Sequence, residues 1–202
     1  MELELSPDQK VAFDKIFGLL REPVREDVVL VGAAGCGKTT LMRYLIDEVE
    51  TNLGRACSLW APTGKAASRL GKVTGRRAAT IHSGLYPHAK RGPGGVLVWE
   101  KPRELCGRGQ LAIIDEASMV GSELYNDIHK KLPQGAQVLY VGDREQLMPV
   151  NDTWGPALGD ADGVLTQVHR QAEGNPVLEY ATAIRNGTGG AWASNYDGED
   201  PR

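Results

Sequence analysis

Residues 32–39 read GAAGCGKT, with Gly32, Gly37, Lys38 and Thr39 at the fixed positions of the pattern G-x-x-x-x-G-K-[ST]. Glycine lets the backbone curl until several N–H groups aim at one point, a geometry suited to a phosphate chain. A lysine in that loop reaches β- and γ-phosphates, and a hydroxyl at the next position suits Mg²⁺. The apolar run at 28–31 precedes the loop and a helical stretch over 40–49 follows it. That is the strand–loop–helix context the pattern requires. The positive end of the helix adds to the attraction. The segment predicts binding of a nucleoside triphosphate, with Gly32, Gly35, Gly37, Lys38, Thr39 and Thr40 around the phosphates.

Two further segments bear on phosphate chemistry. LAIIDEAS at 111–118 is a four-residue apolar run that delivers Asp115 and Glu116 to its end. Asp115 suits Mg²⁺, together with Thr39, and Glu116 suits the orientation or deprotonation of an attacking water. VLYVGDREQL at 138–147 ends a second run in Gly142-Asp143, with Gln146 three residues on. A glutamine there can feel the γ-phosphate. Spacing alone leaves open a strand, a turn and a solvated Gln146.

These residues need a frame. Apolar runs of strand length recur at 28–31, 56–60, 111–114 and 137–141, with a weaker fifth at 164–168. Helical stretches fall at 38–49, 64–72, 121–132 and 155–159. Ser6-Pro7-Asp8 is a helix start, a hydroxyl cap followed by proline at the first position. Alternating strand and helix predicts an α/β domain with a mostly parallel sheet, whose chemistry collects at the carboxyl ends of the strands. Residues 85–109 break the rhythm. They are rich in glycine, proline and basic residues around Val96-Leu97-Val98-Trp99, and predict a small inserted hairpin. Beyond Gly187 the sequence reads as linker.

The 202 residues carry 23 basic and 26 acidic side chains, a net charge of −3. The distribution is lopsided. Residues 55–108 hold eleven basic and two acidic residues, a surplus of +9, while the remainder carries 12 basic against 24 acidic, or −12. Such a segment is either a footprint for a polyanion or a solvated basic face. Cys36, Cys57 and Cys106 have no spacing that suggests zinc or a redox pair, and read as reduced thiols of a cytoplasmic protein. The N-terminus has no signal-peptide pattern, and no apolar run approaches membrane-spanning length.

Taken in order, these motifs resemble those of the superfamily 1 helicases, and the resemblance extends over almost the whole chain. LSPDQKVAF at 5–13 looks like the group's Q motif, which implies that Gln9 reads an adenine edge. GAAGCGKT resembles motif I, and the implied nucleotide is ATP with Mg²⁺. APTGKAASRL at 61–70 is similar to motif Ia, which would set Pro62, Thr63 and Lys65 against a DNA backbone. ATIHSGL at 79–85 resembles motif Ib, with Thr80 and His82 at the DNA. LAIIDEAS and VGDREQLMPV resemble motifs II and III. The stretch 165–187 looks like the end of the first motor domain, where Arg170 would meet the γ-phosphate.

The DEAS, TIHS and HRQ…NP…IRNG runs point to the 5′-to-3′ branch of RecD-like and phage Dda-like helicases. In that branch a hairpin, the 1B pin, lies between motifs Ib and II, where 85–109 falls. Trp99 is then either the aromatic at the duplex junction or a hairpin core residue. His82 is either a DNA contact or a histidine satisfying local backbone.

The resemblance implies a RecA-like domain 1A at 1–84 and 110–187, the pin at 85–109 and a linker at 188–202. It implies single-stranded DNA and a duplex junction as partners, no membrane, and a monomer in the cytoplasm of a bacterial or phage-infected cell. A second RecA-like domain, with motifs V and VI, is not found in this sequence. The expectation is therefore a chain that binds nucleotide and hydrolyses it slowly. An alternative is a nucleotide-gated single-strand-binding adaptor without unwinding activity. A metabolic kinase fits the basic 55–108 segment and the Asp115-Glu116 pair less well.

Overall fold

The computed structural model of the protein describes residues 5–22, 27–91, 97–100, 109–146, 149, 156–167, 183–184 and 187, with 88–91, 97–100 and 156 described by backbone alone. Six parallel strands form the central sheet. In chain order they are β1 (Asp27–Gly32), β2 (Cys57–Ala61), β3 (Ala78–Thr80), β6 (Leu111–Ile114), β7 (Gln137–Gly142) and β8 (Gly163–Leu165). Their spatial order is β3-β2-β6-β7-β1-β8. The remaining two strands, β4 (His88–Arg91) and β5 (Leu97–Glu100), pair antiparallel with each other as a separate ribbon. The helices are α1 (Pro7–Arg21), α2 (Lys38–Asn52), α3 (Gly64–Thr74), α4 (Ile81–Leu85) and α5 (Ser122–Lys131).

The apolar runs are nearly unbroken because both faces of the sheet are covered. Alternate residues of one strand serve different cores. Val28 and Leu30 pack with Ile16, Leu20, Leu45 and Ile46 of α1 and α2. Val29 and Val31 pack on the other face with Trp60, Ile81, Ile128 and Tyr140. Each large aliphatic side chain buried in this way contributes roughly 1.5–3 kcal/mol.

Local chemistry sets the helix ends. The side-chain oxygen of Gln9 accepts from the Ser6 N–H at 2.9 Å, and Pro7 occupies the first turn of α1. The Asp8 carboxylate accepts from Gln9 N–H at 2.8 Å and, across the chain, from Gln167 N–H at 3.1 Å. Burial pushes this carboxyl up, but the Ser6 hydroxyl and the Gln167, Gln9 and Thr166 amides outweigh it, so its pKa lies below the usual range. Thr63 caps α3 by accepting from Ala66 N–H at 3.2 Å, and Gly75, with φ of 67°, ends it. A left-handed backbone of that kind is open to glycine at no steric cost.

The strands read from sequence at 28–31, 56–60, 111–114 and 137–141 match β1, β2, β6 and β7 to within about a residue at each end. The fifth is shorter than expected, Gly163–Leu165, and the helix expected at 155–159 is a single 3₁₀ turn, Pro156–Leu158. A sixth strand, β3, was not expected. Its three residues, Ala78-Ala79-Thr80, are too short and too weakly apolar to announce themselves, and it exists because it pairs with Leu59–Ala61. Within the expected insert the ribbon pairs His88 with Glu100 and Ala89 with Trp99. Arg170 and the stretch 188–202 lie outside the described residues, as does the Trp99 side chain. Among the described residues no helix is long and apolar enough to cross a membrane.

Candidate functional site

The glycine loop connects the carboxyl end of β1 to α2. Gly35 and Gly37 both take φ of 82°, and Gly37 is the residue from which α2 starts. A Cβ on Gly32 would stand 2.6 Å from the Cys36 sulfur and 2.9 Å from the Leu165 carbonyl oxygen, so only glycine fits there. Cys36 is fully buried beneath the loop, and its thiol donates to the Ala33 carbonyl at 2.9 Å. Burial pushes that thiol up, with Lys38 acting in the opposite sense; it is a packing residue. The Lys38 ammonium folds over the loop and donates to the carbonyls of Gly32 and Ala33 at 2.6 and 2.9 Å. Thr39 and Thr40 are half-buried in the first turn of α2.

Gln9 is 3% exposed, and its amide nitrogen donates to the Gly37 carbonyl at 3.2 Å. One side chain thus caps α1 and ties it to the start of α2. This joins the Q-like segment to the phosphate loop.

β6 delivers the two acids. Asp115 N–H donates to the Trp60 carbonyl at 3.0 Å, which continues the pairing of β6 with β2 past the last strand residue. Burial pushes the Asp115 carboxyl up, and the charge of Glu116 adds to this, while the Glu116 N–H, Lys38 and Arg69 act in the opposite sense. A half-buried carboxylate whose ionisation is opposed by desolvation is one that a cation would stabilise. Among the described residues no cluster of three or more acids, histidines or cysteines could hold a metal by itself. One carboxylate with the Thr39 hydroxyl, completed by phosphates and water, is how Mg²⁺ is usually held beside nucleotides. The residues present fit the ion.

Glu116 is the only described non-glycine residue with positive φ, at 57° with ψ of 39°. Such a backbone costs about 1–3 kcal/mol and concentrates at functional positions. The Glu116 carboxylate lies 3.9 Å from the Arg69 guanidinium, with the two side chains 29% and 74% exposed. Sequence reading does not single out Arg69. The signal it offers is its place four residues after Lys65, on one face of α3.

At the end of β7, Asp143 is buried; its carboxylate accepts from Glu145 N–H at 3.0 Å and its carbonyl from Gln146 N–H at 3.2 Å. This turn sets Gln146, half-buried, beyond the strand end. Asp162 is a second residue that sequence reading missed. Its carboxylate accepts from Val29 N–H at 3.0 Å and its own N–H donates to Val29 O at 2.9 Å, which fixes β8 beside β1.

The basic side of the site is built from α3 and α4. Lys65, Arg69 and Lys72 are exposed along α3, and Pro62 and Thr63 form its entry. The Thr80 hydroxyl accepts from Ser83 N–H at 3.1 Å and caps α4; His82 is exposed in the same turn. Two members of the basic segment serve the fold instead. Arg55 donates to the carbonyls of Leu20 and Gly109, each at 2.8 Å, and to Gln137 at 2.6 Å. Arg76 binds Asp47 at 2.5 Å and Glu50 at 2.8 Å. The lopsided charge count therefore overstates the surface open to a polyanion. A hollow of about 300 Å³ adjoins α4, lined by His82, Tyr86, Met119, Gly121, Glu123, Leu124 and Pro149.

The family model described as AAA domain matches residues 4–200. The chain is 39% identical over 192 residues to the ATP-dependent RecD2 DNA helicase of Deinococcus radiodurans, covering 93% of this chain and 25% of that protein. It is 31% identical over 202 residues to the ATP-dependent DNA helicase dda of Enterobacteria phage T4, covering 96% of this chain and 44% of that protein. The crystal structure of Bacteroides Pif1 bound to ssDNA superimposes with a TM-score of 0.61 at 27% identity, over 93% of this chain and 47% of that one. The chain thus spans a quarter to just under half the length of these proteins.

Proposed function

The chain belongs to the AAA domain family, and from that we propose that it is the ATP-binding motor portion of an ATP-dependent DNA helicase, moving 5′ to 3′ on single-stranded DNA and parting a duplex. One observation carries the reading. Adjacent strands β2 and β6 end side by side, one leading into the basic helix α3 and the other into Asp115-Glu116, beside a phosphate loop with its lysine in place. Nucleotide chemistry and a polyanion-binding face then share one sheet edge. The relatives support the same reading, being ATP-dependent DNA helicases by name.

In this mechanism the Gln9 amide exchanges its bonds to Ser6 and the Gly37 carbonyl for the adenine edge, and Gly32, Gly35, Gly37, Thr39 and Thr40 surround the phosphates. The Lys38 ammonium exchanges two carbonyls for β- and γ-phosphate oxygens. Thr39 and Asp115 would hold Mg²⁺, which would supply neutralisation of phosphate charge. Glu116 orients the attacking water and takes its proton. Gln146 would feel the γ-phosphate and report its loss, and Arg170, which lies outside the described residues, would meet the same phosphate. Pro62, Thr63, Lys65, Thr80 and His82 hold the strand through its backbone without sequence preference, and Trp99, whose side chain lies outside the described residues, would stack at the duplex junction. The protein works as a monomer in the cytoplasm of a bacterial or phage-infected cell.

Two measurements test the two halves. Lys38→Ala removes the one formal positive charge of the loop 32–39 and its charge-assisted bonds, so calorimetric affinity for ATP with Mg²⁺ is expected to fall about tenfold or more. Equal affinity would remove Lys38 from the site. For the strand, Lys65, Arg69 and Lys72 supply three exposed cations. Neutralising three phosphates of a single strand predicts a slope of about −2 for log affinity against log salt. A titration of oligothymidylate at several salt concentrations reads that slope, and a flat line would mark α3 as a solvated face.

A further inference from the structure

Tyr86 stands at the root of the β4–β5 ribbon. Its N–H closes α4 on the His82 carbonyl at 2.9 Å, and its ring stacks with the His82 ring at a centroid distance of 5.4 Å. Its hydroxyl donates to the Asp127 carboxylate on α5, and the Lys131 ammonium, one turn further along α5, lies 4.8 Å from the centre of its ring. The phenol is pushed up to about 12, by the bond to Asp127 first, then by burial and by the charges of Asp127 and Glu123. The proton that makes this bond therefore stays on the tyrosine at neutral pH.

The short path from Tyr86 to the ribbon makes the anchor directional. Tyr86 is extended, with φ of −113° and ψ of 146°, as a residue before proline must be. Pro87 has its own φ fixed by its ring. The next residue, His88, is the first paired residue of the ribbon, opposite Glu100. Few free torsions lie between an anchored ring and a strand that leaves it.

We propose that Tyr86, held by Asp127, is a positioning residue that sets the direction in which the hairpin leaves the sheet domain, and so the angle at which forked DNA meets it. The second half of this statement rests on the helicase reading. A hydroxyl–carboxylate bond is of the strong, charge-assisted kind. Its removal frees the ribbon root while leaving the ring and its packing in place.

Residual dipolar couplings of backbone amides, measured on this chain, read the direction. In the wild type, couplings at 88–91 and 97–100 are expected to fit the same alignment tensor as the six-stranded sheet. Tyr86→Phe removes one oxygen and keeps the ring; Asp127→Ala removes the acceptor; Asp127→Asn keeps a carbonyl in its place. Ribbon couplings are expected to shrink in Tyr86→Phe and in Asp127→Ala, to shrink no further when the two are combined, and to recover in Asp127→Asn. Sheet couplings stay fixed throughout, which separates loss of direction from loss of fold. Affinity of Tyr86→Phe for a forked duplex is expected to fall about tenfold, with affinity for a single strand unchanged. Wild-type ribbon couplings in Tyr86→Phe would overturn the proposal, as would equal losses on forked and single-stranded DNA. If the wild type binds neither DNA, the helicase reading falls, and the couplings alone decide whether the anchor sets the ribbon.

Discussion

Replacing Glu116 by glutamine is expected to lower ATP turnover by about 10²–10⁴-fold and to leave nucleotide affinity unchanged. Glutamine keeps the length of the side chain and one carbonyl oxygen, so it can still orient a water. It cannot take the proton. The loss falls on the chemical step because Glu116 stands past the end of β6 in a left-handed backbone, half-exposed and turned toward the basic helix α3. Stability is expected to stay nearly constant. The lost contact with Arg69 is a 3.9 Å pair whose arginine is 74% exposed, and exposed pairs of this kind are worth about 0–1 kcal/mol. Phosphate release under multiple turnover, together with an equilibrium nucleotide titration, separates the two quantities. The protein to use is one extended to the length of the relatives. Undiminished turnover would mean that another group is the base. Asp115→Asn makes the contrast, since its half-buried carboxylate is the one proposed to hold Mg²⁺; there the Mg²⁺-dependent part of the affinity should fall as well.

The parts of this molecule that sequence reveals are those whose residue types are forced by backbone geometry or by burial on two sides. GAAGCGKT is legible because the loop needs left-handed residues at Gly35 and Gly37 and no side chain at Gly32. The strands β1, β6 and β7 are legible because both of their faces are covered, which leaves uninterrupted apolar runs. β3 is not legible, because its three half-buried residues owe their conformation to a neighbour 19 residues earlier. Charge counting recovers which segment is basic but not which cations are free. Arg55 and Arg76 are indistinguishable from Lys65 in sequence, yet the first two are tied to carbonyls and carboxylates. The same limit hid Asp162, Tyr86 and Asp127. Each acts through a partner distant in sequence, and no local pattern encodes a distant partner. The left-handed backbone of Glu116 is invisible for a related reason. A strained residue contradicts its own propensity, and only the surrounding fold holds it there.

Replacing Gly84 by valine is expected to destabilise the chain by about 3 kcal/mol, the upper end for overpacking a rigid site. Gly84 lies inside α4, where helix propensity taken alone would favour alanine over glycine by up to about 1 kcal/mol. Packing reverses that preference. A Cβ at position 84 would stand 2.6 Å from Cε2 and 2.7 Å from Nε1 of Trp60, closer than real Cβ contacts come. The indole has nowhere to retreat. It is 0% exposed, and it is packed in the core that also holds Ile81, Leu85, Ala112 and Ile114. Valine adds two methyls to the clash and a branched Cβ that helices disfavour. Each kcal/mol lowers Tm by roughly 2–4 °C in a protein of this size, so a drop of about 6–12 °C is expected. Gly84→Ala should sit between the two, its gain in propensity partly offsetting a smaller clash. The consequence for function lies in the side chains that α4 carries. Thr80 caps it and His82 projects from it, so lifting α4 off Trp60 moves both away from the face shared with α3. At a temperature where the variant remains folded, affinity for a single strand should fall, while affinity for ATP, held by the loop at the other side of β7, should not. Thermal unfolding and the two titrations test this together. An unchanged Tm would show that the indole yields, and the close approach of α4 to β2 would then not depend on glycine.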